Sequence, residues 1–241
     1  MGRACATALL AGTLTAAAAQ GLPPDDGGLP PLPPDSAAAR FGASRALSFG
    51  LSNYGLSAGG VLRGRLTDDL SVVLEVALSP ARDEREQQFF VGFFGDTVVP
   101  FKRNYVALVP FHAGLEARLL RRQVTSNFRP FVVAASGPTL AVQWPYFRDD
   151  NGDGIRQADE ERLGSVRGLR EAAFRLGAGG TLAAGAYLGH GRTAQGLRIG
   201  YTAHYFRRPV DLLELDERVE SPSRRFFGTP TVSFHVVRLL P

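Results

Sequence analysis

The sequence predicts an all-β protein, a closed antiparallel up-and-down transmembrane β-barrel of about eight strands. Apolar residues alternate with polar or small ones over repeated segments, and short connections alternate with long ones along the chain. No window of the sequence holds the ~18 apolar residues that a membrane-spanning helix needs. Because backbone polar groups must be paired inside a bilayer, a closed barrel is the remaining way for this chain to cross one.

The strands are predicted from the two-residue period of the apolar side chains. Segments of about ten residues with this period, separated by turn residues, are typical of transmembrane barrels. The alternation is clear in seven segments, whereas the two faces of residues 128–142 differ less. The predicted strands are residues 45–52, 57–66, 70–79, 105–119, 128–142, 174–182, 197–205 and 231–236.

The connections between these strands differ in length at the two ends of the predicted barrel. Short periplasmic turns and longer extracellular loops are the expected asymmetry for a membrane barrel. The predicted inner turns are residues 67–69, 121–127 and 190–196. The predicted outer connections are the turn at Tyr54 and the long loops 80–103, 143–170 and 207–225. The mixed charges of residues 211–225 are interpreted as those of a solvated loop.

The less apolar faces of the strands carry charges that would point into the barrel. These residues are Arg63, Arg65, Glu75, Glu116, Arg118, Arg175 and Arg198. Buried charges must be paired, and the interior of an eight-stranded barrel is just filled by side chains. The sequence therefore predicts a hydrogen-bonded plug of Arg and Glu inside the barrel. A soluble barrel would have the opposite polarity and is the less favoured alternative.

The amino terminus predicts export. Residues 1–19 have Arg3, an apolar run and an Ala-rich end before Gln20, which indicates a signal peptide. Residues 20–43 are interpreted as a Pro-rich flexible leader, and residues 44–241 as the barrel, which places the protein in the cell outer membrane with lipid around it. Cys5, the only cysteine, lies in the predicted signal peptide.

Short motifs in the middle of the chain carry a family resemblance. They are residues 102–110 (KRNYVALVP), 114–115 (GL), 118–119 (RL), 127–131 (NFRPF) and 137–139 (GPT). With these motifs the chain resembles small outer-membrane β-barrel proteins of the OmpA/OmpW-like kind, in particular the Bacteroidota-type outer membrane protein β-barrel domain. The resemblance implies a closed barrel in the outer membrane and no shared catalytic residues.

The sharpest motif is the acidic loop of residues 149–160, DDNGDGIRQADE. It matches the spacing of a calcium-binding loop, in which oxygen ligands at positions 1, 3, 5, 7 and 12 surround one ion and Gly at position 6 allows a sharp turn. The alternative is a polar turn in an exposed loop. The predicted ligands of a structural Ca²⁺ are Asp149, Asn151, Asp153, the Ile155 carbonyl, Gln157 and Glu160.

Two further groups of residues were candidates for chemistry or binding. His112, His204 and His235 fall on predicted inward faces and are interpreted as hydrogen-bonded histidines of the lumen. The first long loop contains Phe89, Phe90, Phe93 and Phe94, which indicate an extracellular partner or hydrophobic ligand at residues 89–94, or packing of extended strands above the bilayer.

These observations predict a non-enzymatic, monomeric barrel with an envelope-structural or surface-interaction role. A small hydrophobic-ligand channel of the OmpW-like type is the alternative, and a lipid-modifying barrel enzyme is less favoured. No Ser-His-Asp arrangement can be defended from the spacing. With a formal net charge of +4 and no basic cluster interleaved with aromatic residues, nucleic acid is not an expected partner.

Overall fold

The computed structural model describes residues 43–83, 85–86, 89–91, 96–120, 128–157, 160–163, 166–189, 193–214 and 221–240. Of residues 89–91 and 96–98 only the backbone is described. The chain divides into two units, Met1–Pro34 and Asp35–Pro241, and all described residues belong to the second. The predicted signal peptide and all but Ala43 of the predicted leader lie outside the described residues.

The second unit is an all-β closed barrel of eight antiparallel strands. The barrel strands are β1 (Ser44–Ser52), β2 (Gly55–Arg65), β3 (Leu70–Ala81), β6 (Asn104–Arg118), β7 (Phe128–Pro145), β8 (Ala173–Leu188), β9 (Thr193–Asp211) and β10 (Ser223–Leu239). Strand β1 pairs with both β2 and β10, so the up-and-down meander closes on itself. This confirms the predicted fold class and leaves the sheet without an open edge.

Two smaller elements lie in the long connections at one end of the barrel. Strands β4 (Phe89–Val91) and β5 (Asp96–Val98) form a hairpin between β3 and β6. A 3₁₀ helix, Arg167–Glu171, precedes β8 and packs its Gly168 against the end of β7. Among the described residues, no helix has the length and apolarity that crossing a membrane would require.

The predicted boundaries of the last two strands were wrong. Strand β9 begins inside the predicted turn 190–196, and both β9 and β10 extend far into the predicted loop 207–225. At the outer end of these strands, Arg207 and Arg225 are exposed and lie among the outward side chains. The apolar alternation therefore stops there, although the backbone pairing continues. Strand β7 likewise ends at Pro145, within the predicted loop 143–170.

Candidate functional site

The outside of the barrel is apolar. Leu182 is 68% exposed and Ile199 is 61% exposed, and similar side chains project from each of the eight barrel strands. Outward neighbours lie side by side, since Phe49 pairs with Phe234 and Phe234 pairs with Leu197. Monomeric soluble proteins rarely expose so large a contiguous apolar surface. An apolar exterior around a charged interior is the arrangement of a barrel that faces lipid.

The inner part of the lumen is closed by a buried ion pair. Arg63 Nε donates to Glu116 Oε2 at 3.0 Å, and both side chains are nearly inaccessible. The Tyr187 hydroxyl donates to the same carboxylate oxygen at 2.7 Å. The Arg63 guanidinium lies 4.9 Å from the centroid of the Tyr187 ring, which places a cation against an aromatic face. Three strands are thereby joined across the lumen by one carboxylate.

Glycines make room for the aromatic rings beside this pair. Phe131 and Tyr187 stack with centroids 4.4 Å apart. A Cβ at Gly185 would come within 2.7 Å of Phe131, and a Cβ at Gly196 within 2.8 Å of Tyr187. The buried apolar residues around the pair are Ala46, Val61, Val73, Phe131, Val133, Ala183, Tyr187, Ala194 and Val237. The inner part of the lumen is therefore filled by packed side chains.

A second ion pair crosses the middle of the lumen. Arg198 Nη1 donates to Glu75 Oε1, and Arg198 Nε donates to Ser233 Oγ at 3.2 Å. The Ser233 hydroxyl also hydrogen-bonds His235 Nε2 at 3.0 Å. The predicted Arg and Glu plug is therefore present for Arg63, Glu75, Glu116 and Arg198.

The other predicted inward charges lie nearer the ends of their strands. Arg65 lies at the inner rim, partly exposed, and pairs with Asp68 of the adjoining turn. Arg175 lies near the outer end of β8 and hydrogen-bonds the Phe174 carbonyl at 3.5 Å. The prediction was wrong for Arg65, which is exposed at the end of β2. Arg175 is half-buried between the outward Phe174 and Leu176, so it keeps the predicted inward face but lies away from the two lumen ion pairs. Arg118, near the inner end of β6, is half-buried.

Two of the three predicted lumen histidines meet above the middle ion pair. The rings of His112 and His204 lie 5.8 Å apart, and both residues are buried. Thr139 Oγ1 hydrogen-bonds His204 Nδ1 at 3.0 Å, and Thr181 Oγ1 lies 3.5 Å from His112 Nδ1. The prediction that these histidines are hydrogen-bonded inside the lumen is confirmed, as it is for His235.

These side chains border a small polar cavity of about 80 Å³. Glu75, Arg198, Thr202 and the two facing histidines are among its lining residues. A water molecule occupies ~30 Å³ in the liquid, so this cavity has room for a few waters. His112 Nε2 is buried without a hydrogen-bond partner among the described residues, and a water in the cavity is the partner that it would need.

The outer mouth of the lumen is closed by an apolar layer. Leu212 and Leu213 follow β9, fold over the mouth and are 0% and 2% exposed. They pack with Tyr54, Ala81, Val106, Leu108, Ala141, Phe206, Val210 and Phe227. Solvation was therefore the wrong explanation for the start of the loop 211–225. The signal that could have found this layer is the apolar pair Leu212-Leu213 itself, set within a charged segment.

Hydrogen bonds connect this layer to the residues at the start of β6. The Arg103 N–H donates to the Leu212 carbonyl at 3.0 Å, and the Glu214 N–H donates to the Phe101 carbonyl at 2.8 Å. The Asn104 side-chain amide donates to the Asp211 carbonyl at 2.9 Å. The segment after β9 thus bridges to the start of β6, three strands away around the barrel.

An ion cluster joins the outer ends of β3, β6 and β10. The buried Asp83 carboxylate accepts from Arg85 Nε at 2.8 Å and lies 3.0 Å from Arg224 Nε. Lys102 Nζ donates to Glu86 Oε2 at 2.5 Å. Burial raises the pKa of Asp83, but the hydrogen bonds from Arg85 and the charge of Arg224 outweigh burial and hold this pKa below its ordinary value. The Asp83 carboxylate is therefore ionised at neutral pH.

The acidic loop forms a compact turn stabilised by its own side chains. Asp149 accepts hydrogen bonds from the Gly152 and Gly154 N–H groups at 2.8 and 2.9 Å. The two glycines have φ values of 75° and 74°, a conformation that favours glycine. Asp153 accepts from the Ile155 N–H at 2.7 Å, which lowers the pKa of Asp153.

The remaining predicted ligands lie in the same turn. Asn151 accepts from the Asp153 N–H at 2.9 Å, and the buried Glu160 accepts from the Gln157 N–H at 2.8 Å. Within the part of the chain that is described, no three His, Cys, Asp or Glu side chains converge as a metal cluster. Calcium binding stays a prediction.

The phenylalanines of the first long loop are only partly described. Phe93 and Phe94 lie outside the described residues, and Phe89 and Phe90 lie in β4.

Comparison with known proteins gives likenesses of fold only. No protein-family model and no curated protein matches the chain. The chain is similar to Neisserial surface protein A, with 12% identity and a TM-score of 0.42, over 82% of this chain and 94% of that one. It is also similar to the N-terminal β-barrel domain of OprF from Pseudomonas aeruginosa, with 12% identity and a TM-score of 0.35, over 81% and 96%. The description of the barrel stands on the strand pairing of this chain itself.

Proposed function

We propose that this protein is a non-conducting, non-enzymatic barrel of the bacterial outer membrane, with an envelope-structural or surface-interaction role. The observation that carries the proposal is the combination of an apolar exterior with a lumen filled at three levels. Lipid is the solvent that fits the exposed side chains of Leu182 and Ile199. The Arg63–Glu116 and Arg198–Glu75 pairs and the Leu212–Leu213 layer occupy the space that a channel would need.

Electrophoresis and conductance together test this proposal. In detergent, the unboiled protein is expected to migrate faster than the boiled protein, because a closed barrel stays compact in SDS. Inserted into a planar bilayer, the folded protein is expected to give no steady ionic current. A water-soluble protein without the migration shift would overturn the membrane location. A uniform open current in every insertion would favour the hydrophobic-ligand or small-solute channel.

The acidic loop adds a second part to the proposal: a structural calcium ion that orders the extracellular loop. Carboxylate, amide and carbonyl oxygens of Asp149, Asn151, Asp153, Ile155, Gln157 and Glu160 lie in one turn, and these are the ligands that calcium prefers. Extracellular calcium modules bind with dissociation constants of ~0.1–1 mM. A site of that strength would be filled outside the cell.

Limited proteolysis tests the calcium site. Trypsin is expected to cut after Arg156 in chelator and to be slowed by calcium at about 1 mM, since the bound ion holds the loop closed. Glu160→Gln is expected to weaken this protection about tenfold or more, because Glu at position 12 supplies two ligand oxygens. Asp150→Asn is the matched control. Asp150 lies between two predicted ligands, but its own side chain is not at a ligand position. Equal cutting with and without calcium would leave the loop as a polar turn.

A further inference from the structure

A cleft of about 640 Å³ lies on the outward-facing surface of the barrel wall, near the end that carries the long connections. Its lower walls are apolar side chains of β1, β2, β3 and β6, among them Phe49, Leu78 and Ala107. Trp144 of β7 lines one side, and Arg82 lies at the top. Small-molecule sites in proteins have volumes of ~300–1,000 Å³, so the cleft is large enough for a ligand.

Strand register places the cleft on the lipid-facing surface. Phe49 pairs with Ala58, and Ala58 pairs with Leu78, so these three outward side chains form one row across β1, β2 and β3. Phe49 and Leu78 are each more than half exposed. They belong to the same apolar exterior that surrounds the barrel. The part of the cleft lined by these side chains therefore opens sideways into the bilayer.

The seam between β3 and β6 forms the base of the cleft. The ladder between these strands breaks off after the pair Val76–Phe111 and resumes at Ser79–Leu108. Pro110, which has no amide hydrogen, lies in this interruption. Leu78 is thereby left outside the ladder between β3 and β6, although it still pairs with Ala58 of β2.

Aromatic and charged groups mark the upper end of the cleft as the membrane–water interface. Tyr105 and Trp144 stack with centroids 5.7 Å apart, and tyrosine and tryptophan are enriched at this depth. Lys102 Nζ lies 4.8 Å from the Tyr105 ring centroid, but its charge is balanced by Glu86. Among the described lining residues, the exposed Arg82 therefore leaves a net positive charge at the height of lipid headgroups.

We propose that this cleft binds one acyl chain of an outer-leaflet lipid whose anionic headgroup lies against Arg82. The inference rests on the membrane location proposed above. An apolar wall below a cation matches an acyl chain below a phosphate, and the sideways opening admits a ligand from the bilayer. The apolar lining would dehydrate the chain, and the positive charge would select anionic over neutral headgroups.

Quenching of tryptophan fluorescence tests the proposal directly, because Trp144 is the only tryptophan of the chain and lines the cleft. Phosphatidylglycerol with brominated acyl chains is added to the full chain folded in detergent micelles. Quenching is expected to saturate at about one lipid per barrel, in keeping with a single discrete site. Quenching that rises without saturation, as for lipid that merely surrounds the barrel, would overturn the proposal.

Matched variants make the test specific to the cleft. Ala107→Phe places a phenyl ring in the cleft. Binding of the acyl chain is expected to weaken about tenfold or more, because the ring occupies the space that the chain would fill. Ala113→Phe is the control, because Ala113 is an exposed residue on the same outward face of β6 but lies outside the cleft. Equal binding by both variants would contradict the site.

A headgroup comparison separates the remaining outcomes. Arg82→Gln is expected to remove the preference for brominated phosphatidylglycerol over brominated phosphatidylcholine, and an unchanged preference would contradict the role of Arg82. Saturable quenching by a brominated fatty acid but not by either phospholipid would replace the lipid by a water-borne ligand. The migration shift is recorded for each variant, since its loss would indicate failure of the membrane barrel itself rather than of the cleft.

Discussion

Replacement of Glu116 by alanine is expected to destabilise the folded barrel by ~3–5 kcal/mol. The substitution leaves the Arg63 guanidinium charged and buried, with its ion-pair partner removed, and deprives the Tyr187 hydroxyl of its acceptor. Breaking a buried pair from one side costs more than the pair itself contributes, because the remaining charge has lost its solvent and its partner. The inner layer of the lumen would lose the carboxylate that joins three strands.

Urea unfolding in detergent micelles, followed by the fluorescence of Trp144 and by gel migration, measures this effect. Asp68→Ala is the matched control, because it breaks the partly exposed pair with Arg65 and is expected to cost only ~0–1 kcal/mol. The double replacement Arg63→Met with Glu116→Leu is expected to recover most of the lost stability, since no lone charge remains. A Glu116→Ala barrel as stable as the Asp68→Ala barrel would show that the pair is hydrated.

Leu182→Arg is expected to cost ~2–4 kcal/mol when the protein folds into lipid vesicles. Leu182 lies near the middle of β8 and points outward, so the arginine would stand near the centre of the bilayer. In a soluble barrel the same change at an exposed position would be nearly neutral, within about 0.5 kcal/mol. The substitution therefore discriminates between lipid and water as the surroundings of the barrel.

Position along the strand supplies the control for this substitution. Leu188→Arg changes an equally outward residue at the inner end of β8, where the expected cost falls to ~0–1 kcal/mol. Leu182→Ala separates the loss of the leucine side chain from the gain of a charge. Folding yield and urea midpoint in vesicles are compared for all three. If Leu182→Arg and Leu188→Arg folded equally well, the outer wall would not be buried in hydrocarbon.

The sequence predicted the barrel and its inward faces well because the two-residue period of a strand determines both. Once Leu74 and Val76 are assigned to the exterior, Glu75 must point inward, and the structure places it there. The same reasoning placed His112, His204 and His235 in the lumen. It could not name the partners, since Arg63 and Glu116 are 53 residues apart and Arg198 and Glu75 are 123 apart.

Features that depend on several distant segments were missed. Leu212 and Leu213 are buried only because β9 runs beyond the apolar band and residues 212–214, which follow it, lie over the mouth. The cleft needs side chains from five strands together with Arg82, Glu86 and Lys102, and no local pattern indicates such a convergence. Arg65 was assigned inward by period alone, whereas the adjoining turn supplied Asp68 as a nearer partner.

The layering of the lumen has a kinetic consequence for the polar cavity at its centre. Protons and water that reach His112 or His204 must pass either the aromatic and aliphatic seal of Phe206, Phe227 and Leu212 or the packed layer around Tyr187. Hydrogen exchange at these imidazoles and at the Thr181 hydroxyl would then be governed by transient breathing of the barrel. These imidazoles are therefore expected to exchange their hydrogens with solvent more slowly than an imidazole exposed at the surface.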